Sequence, residues 1–138
     1  MNISVETTVA APLETVWQAY TTPDDIMRWN AASADWHTTA ASVDLREGGA
    51  FSSRMEAKDG SMGFDFAGTY TKIVPLSLIE YEFGGRTAQV AFLPVPQGVT
   101  VRVTFDAETT HSEEQQRGGW QAILDNFARH VESRQPAG

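Results

Sequence analysis

Between Ser112 and Ser133, Trp120, Ile123, Leu124, Phe127 and Val131 recur three and four residues apart. That spacing predicts a helix carrying one narrow apolar stripe. Ser112 followed three residues later by Gln115 reads as a capping box, and Glu113 and Glu114 complement the positive end of the helix dipole. Such a stripe has to lie on another apolar surface. Most of the preceding chain alternates with strand periodicity, so the expected partner is a sheet.

Ile3, Val5, Thr7 and Val9 share one face of a first strand. Pro12 fits a helix start, and Leu13, Val16, Trp17 and Tyr20 follow at helical offsets. Thr22, Pro23, Asp24 and Asp25 then open a second short helix, with Ile26 and Trp29 as its buried residues. Trp36 to Leu45 reads as a weaker strand. Phe51, Ser53 and Met55 share a face of the next, which Lys58-Asp59-Gly60 turns into a hairpin. Phe64, Phe66, Gly68 and Tyr70 share a face, and Pro75 ends that strand. Ile79, Tyr81 and Phe83, then Ala88, Val90 and Phe92, then Val99, Val101, Val103 and Phe105, mark three more. Gln135 to Gly138 reads as a frayed tail. Seven strands joined by short turns favour antiparallel neighbours, and a helix over their apolar face makes an α+β architecture.

The 138 residues suit one domain spanning 1–138 and suffice for a core without staples. A formal charge of -8 argues against nucleic acid and anionic membranes as partners. The absence of cysteine removes disulfides, thiol catalysis and thiolate metal sites. No signal peptide or apolar spanning run is visible, so cytoplasmic residence without membrane insertion is the expectation.

Several short motifs, in order, carry a resemblance. Ala11-Pro12 with Val16-Trp17, then Thr22-Pro23 and Arg28-Trp29, is similar to the opening of the SRPBCC superfamily. That superfamily includes START lipid-transfer domains and the major birch-pollen allergen. Asp44-Leu45-Arg46-Glu47-Gly48-Gly49 followed by Phe51, Asp59-Gly60, Gly68-Thr69-Tyr70, Val74-Pro75 and Gly119-Trp120 narrow it. Together they resemble the family named for the activator of the heat-shock-protein-ninety ATPase, over about Ile3 to Val131. The resemblance implies a helix-grip fold: a curved antiparallel sheet wrapped around the C-terminal helix, two short helices between strands one and two, and a cavity that commonly holds a hydrophobic small molecule. It also raises a role beside a chaperone ATPase. The namesake uses an additional N-terminal domain for that activity, and this sequence is too short to contain one, which argues against a chaperone partner.

Strand parity and the helix stripe nominate the cavity lining: Phe51, Ser53, Met55, Phe64, Phe66, Tyr70, Tyr81, Phe83 and Phe92 from the sheet, and Gln116, Trp120, Ile123, Leu124 and Phe127 from the helix. The competing reading is a filled core, in which each large side chain contributes roughly 1.5–3 kcal/mol by burial. Small Ser53 and Gly68 within bulky faces suggest unfilled space. Tyr70 and Tyr81 would supply polar anchors in a mostly apolar pocket. Gln116 lies where the stripe turns polar, either at the cavity mouth or overhanging solvent. Gly118 and Gly119 cost the helix about 2 kcal/mol against two alanines. A close strand or ligand would account for Gly119, and a bend for Gly118. Asp44 and Arg46 read as a structural pair in a hairpin, with a charged ligand contact as the alternative.

His37, His111 and His130 lack metal-ligand spacing, and no nucleophile–base–orienter set is visible. No metal, cofactor or catalytic residue is therefore nominated. The expected function is binding of a small, mostly hydrophobic molecule between sheet and helix. The alternative is a cyclase- or dehydratase-type enzyme using Tyr70, Tyr81 or Glu113. An edge strand would allow a homodimer, though nothing requires one.

Overall fold

A computed structural model describes residues 2–31 and 33–134. The expected tail, Gln135 to Gly138, lies outside them. Alternation is realised as seven strands: β1 (Asn2–Val9), β2 (Trp36–Val43), β3 (Ala50–Ala57), β4 (Gly63–Val74), β5 (Leu78–Phe83), β6 (Arg86–Val95) and β7 (Gly98–Asp106). The helices are α1 (Leu13–Thr21), α2 (Pro23–Trp29) and α3 (Glu113–Ser133). The capping box expected of α3 forms: Ser112 Oγ accepts from the Gln115 amide at 3.1 Å, and the Ser112 amide donates to Gln115 Oε1 at 3.2 Å.

The strands lie in the order β1-β7-β6-β5-β4-β3-β2, every neighbouring pair antiparallel. The sheet curls into a half-barrel. Register shifts at Thr38/Ala40 and Tyr70/Lys72 are the kind of irregularity that bends a strand and raises its twist. β1 and β2 follow one another in sequence yet form opposite rims. The connection between them must therefore cross the open side of the sheet, and α1 and α2 are that connection. Helical structure satisfies the backbone along the crossing, as exposed strand would not.

α3 packs against β1 and reaches over the concave face. Trp120 stacks on Phe105 of β7, centroids 3.9 Å apart and planes within 9°. Its other edge approaches Phe83 of β5 and Phe66 of β4. Further along α3, Phe127 is fully buried against Trp29 of α2 and Tyr20 of α1, centroids 5.0 and 5.2 Å away. The Trp29 indole donates to the Ala19 carbonyl at 2.9 Å, which fixes α2 against α1. Among the described residues no helix is long and apolar enough to cross a membrane.

Candidate functional site

Between the concave face, α1, α2 and α3 lies a cavity of about 510 Å³. Interiors normally pack with few voids larger than a water molecule, so space on this scale is a feature of the fold. β3 contributes Phe51, Ser53 and Met55 to its wall, β4 Phe64, Phe66 and Tyr70, and β5 Tyr81. α3 contributes Gln116, Trp120, Ile123 and Leu124. Phe83, Phe92 and Phe127, nominated on the same parity and stripe, lie off the wall and inside packed core. Phe92 is covered by Trp17 and Tyr20, and Phe83 by Phe66, Tyr81 and Trp120. Sequence reasoning missed Tyr20, Ile26, Trp29, Asn30 and Trp36, which arrive from the crossing segment and the far rim, and Arg86, Glu108 and His111, which arrive from turns and loops. Tyr20 and Trp29 already stood out as the apolar positions of short helices. Nothing local marks which side of such a helix meets space instead of core.

The chain has three tyrosines, and all three line this cavity. Tyr70 and Tyr81 sit directly opposite one another across the β4–β5 ladder, and Tyr20 faces them from α1. Their hydroxyls have no hydrogen-bond partner among the described residues, and none is sealed in the core, so each reaches accessible space. Burial raises the Tyr20 phenol above its ordinary value, with a further contribution from Tyr70. Burial, and then the Asp44 carboxylate, push Tyr70 up to about 12. Tyr81 is raised by burial, then by Tyr20 and Tyr70, with Arg86 opposing. All three stay protonated near neutral pH and suit hydrogen bonding better than base chemistry.

The N-terminal end of α3 holds the loop that follows β7. Gln116, 8% exposed, accepts from the Glu108 amide at 2.8 Å. Its Nε2 donates to the carbonyls of Glu108 and His111 at 3.1 and 2.9 Å. At Gln116 the polar end of the stripe thus does not overhang solvent but ties down backbone at the cavity rim, whereas Glu113, one turn earlier, is exposed and pairs with Arg117. His111 bonds the Glu108 carboxylate at 2.6 Å, and that bond, chiefly, depresses the Glu108 carboxyl below its ordinary value. Arg86 donates to the Asp106 carbonyl at 3.0 and 2.7 Å while its guanidinium lies 4.7 Å above the Phe83 ring.

Further along α3, His130 is not a half-exposed flank residue. Its Nε2 bonds Asp25 Oδ1 at 2.8 Å with both side chains largely buried, and Arg134 joins the same carboxylate. α2 and α3 are thereby pinned together. Beside this contact runs a separate, open groove that includes Arg28, Lys58 and Arg129 and shares Ser33 and Trp36 with the cavity. Among the described residues no cluster of three or more His, Cys, Asp or Glu side chains could hold a metal ion.

A family model for Activator of Hsp90 ATPase homolog 1-like protein matches residues 10–132. The chain belongs to this family, within the SRPBCC superfamily. Among solved structures of the AHSA1-like family, the AHSA1-like protein from Aeromonas hydrophila is 51% identical, with 96% of this chain and 93% of that one covered and a TM-score of 0.91. A protein from Cytophaga hutchinsonii is 44% identical, covering 96% and 92%, with a TM-score of 0.83. One from Chromobacterium violaceum, at 24% identity, 96% and 98% coverage and TM-score 0.85, shares the fold. No curated protein matches the chain.

Within this AHSA1-like fold the motifs that carried the resemblance have visible structural work. Arg46 Nε bonds both Asp44 oxygens at 3.0 and 2.9 Å, an exposed pair that closes the β2–β3 connection. Gly48, at φ +84°, donates to the Tyr70 carbonyl at 2.8 Å, and the Tyr70 amide donates to the Gly49 carbonyl at 2.9 Å. The Gly-Gly turn therefore fixes the backbone of a cavity tyrosine. Gly68 does not leave room: a Cβ there would stand 2.3 Å from the Glu82 carbonyl and 2.9 Å from the Phe51 ring, which already covers the position. Gly119 lines the cavity, but no strand approaches it closely, and a Cβ at Gly118 or Gly119 would meet nothing within 4 Å.

Proposed function

We propose that this protein binds a small, mostly apolar molecule in the cavity between the sheet and α3. One observation carries the reading: about 510 Å³ of space, walled mainly by aromatic and aliphatic side chains, lies beside a buried apolar core. That volume and lining suit a small-molecule pocket, in which a few polar groups set orientation. Membership of a superfamily known for ligand binding supports it.

Native mass spectrometry of the purified protein tests the proposal. The expected result is a noncovalent adduct released on denaturation, and its loss in Ser53→Phe, which fills the cavity from β3. A thermal-shift series over lipids, polyketides and aromatic metabolites follows. A ligand present at a hundred times its Kd, and selective for the folded state, raises stability by about 2.7 kcal/mol. Absence of both an adduct and any stabilising compound would overturn the assignment.

A further inference from the structure

Three phenols gathered from three elements onto one cavity hold no protein group, so their hydroxyls are free to bond whatever occupies that space. We propose that Tyr20, Tyr70 and Tyr81 form a neutral three-phenol anchor, and that the molecule held here carries an uncharged oxygen acceptor, such as a carbonyl, on an otherwise apolar body. This rests on the ligand-binding reading above and narrows its chemical class.

The anchor is built from both sides. Tyr70 and Tyr81 are cross-strand partners on one face, and the Gly48–Gly49 turn clamps the Tyr70 backbone. Tyr20 is held by ring contacts to Trp29, Phe92 and Phe127, at 5.1, 5.6 and 5.2 Å. Each hydroxyl can donate one hydrogen bond. A carbonyl oxygen, with two lone pairs and no charge, can accept from two of them.

The surroundings select against an anion. The three phenols resist ionisation themselves, and the causes, burial and neighbouring oxygens, act on any buried anionic head in the same sense. The Asp44 carboxylate adds negative field at Tyr70. Arg86, the guanidinium on the cavity wall, is engaged by the Asp106 carbonyl and the Phe83 ring. Arg28, Lys58 and Arg129, which have no carboxylate partner among the described residues, lie in the open groove outside.

Three probes of equal chain length decide between these chemistries: methyl nonyl ketone, undecane and undecanoate. Trp29, Trp36 and Trp120 line the cavity, so intrinsic fluorescence reports occupancy. The wild-type protein is expected to bind the ketone more tightly than the alkane. Tyr20→Phe, Tyr70→Phe and Tyr81→Phe each remove a hydroxyl that holds no other protein group, so folding should be undisturbed. At least two of the three should weaken ketone binding about three- to tenfold while leaving the alkane unchanged. Equal binding of ketone and alkane, or ketone binding indifferent to all three substitutions, overturns the anchor and leaves the ligand-binding reading standing. Tightest binding of undecanoate, weakened by Arg28→Ala or Arg129→Ala, also overturns it. No binding by any probe overturns the anchor, while the native mass spectrometry and thermal-shift series decide the reading beneath it separately.

Discussion

Replacing Gln116 with Met keeps the length and shape of the side chain and removes its amide. Three good hydrogen bonds disappear, from the Glu108 amide at 2.8 Å and to the carbonyls of Glu108 and His111 at 3.1 and 2.9 Å. A typical intramolecular hydrogen bond is worth about 1 kcal/mol net, and Gln116 is only 8% exposed, so water replaces it poorly. Part of the loop backbone can rehydrate once released. The expected loss is therefore about 2–3 kcal/mol. For a chain of 138 residues, roughly 3–4 °C per kcal/mol lowers Tm by about 6–12 °C. Calorimetry or urea unfolding measures the loss. Native-state hydrogen exchange localises it, because the Glu108 amide should lose protection before the strands do. A Tm within roughly 1 °C of wild type, with the Glu108 amide still protected, would show that Gln116 does not hold this loop.

Three further outcomes follow from the same structure. Gly118→Ala should gain about 1 kcal/mol and raise Tm, since an added Cβ meets nothing within 4 Å; a fall in Tm would contradict the open space there. Gly68→Ala should cost about 1–3 kcal/mol, because its Cβ would stand 2.3 Å from the Glu82 carbonyl, and chemical denaturation returning wild-type stability would refute that contact. Tyr20 and Tyr81 have folded-state phenol values above their unfolded ones, so their contribution is complete below the ordinary value of about 10 and fades as pH rises through the raised values. Because the chain has only these and Tyr70, tyrosinate absorption should appear together with alkaline unfolding; ionisation of all three near pH about 10 in folded protein would refute their burial.

The elements were legible because each obeys one local period. The α3 stripe, its Ser112–Gln115 box and the alternation of the strands appear where periodicity places them. The site was legible only where the same period decides it. Parity identifies Phe51, Phe66, Tyr70 and Tyr81 as inward-facing, and they meet the cavity. It identifies Phe83 and Phe92 equally well, yet those are covered by Trp120 and by Trp17 and Tyr20. Whether an inward residue meets space or another ring depends on elements distant in sequence, and no window of alternation contains that information. Tyr20, Arg86 and Glu108 illustrate the complementary gap: they reach the cavity by crossing the sheet or leaving its ends. His130 and Asp25 are a third case, separated by most of the chain and joined only when α2 and α3 meet.

The strand order has a consequence for synthesis. Among the described residues β1 pairs with β7 alone, with Asn2 opposite Asp106 and Val9 opposite Val99. The first strand of this sheet to be made therefore waits through the making of the other six before it can pair. Ile3, Val5 and Val9, fully or nearly fully hidden in the finished fold, stay uncovered throughout that interval. Closure is then a late, long-range event, of the kind that folds slowly and leaves an unpaired edge open to wrong partners in the meantime.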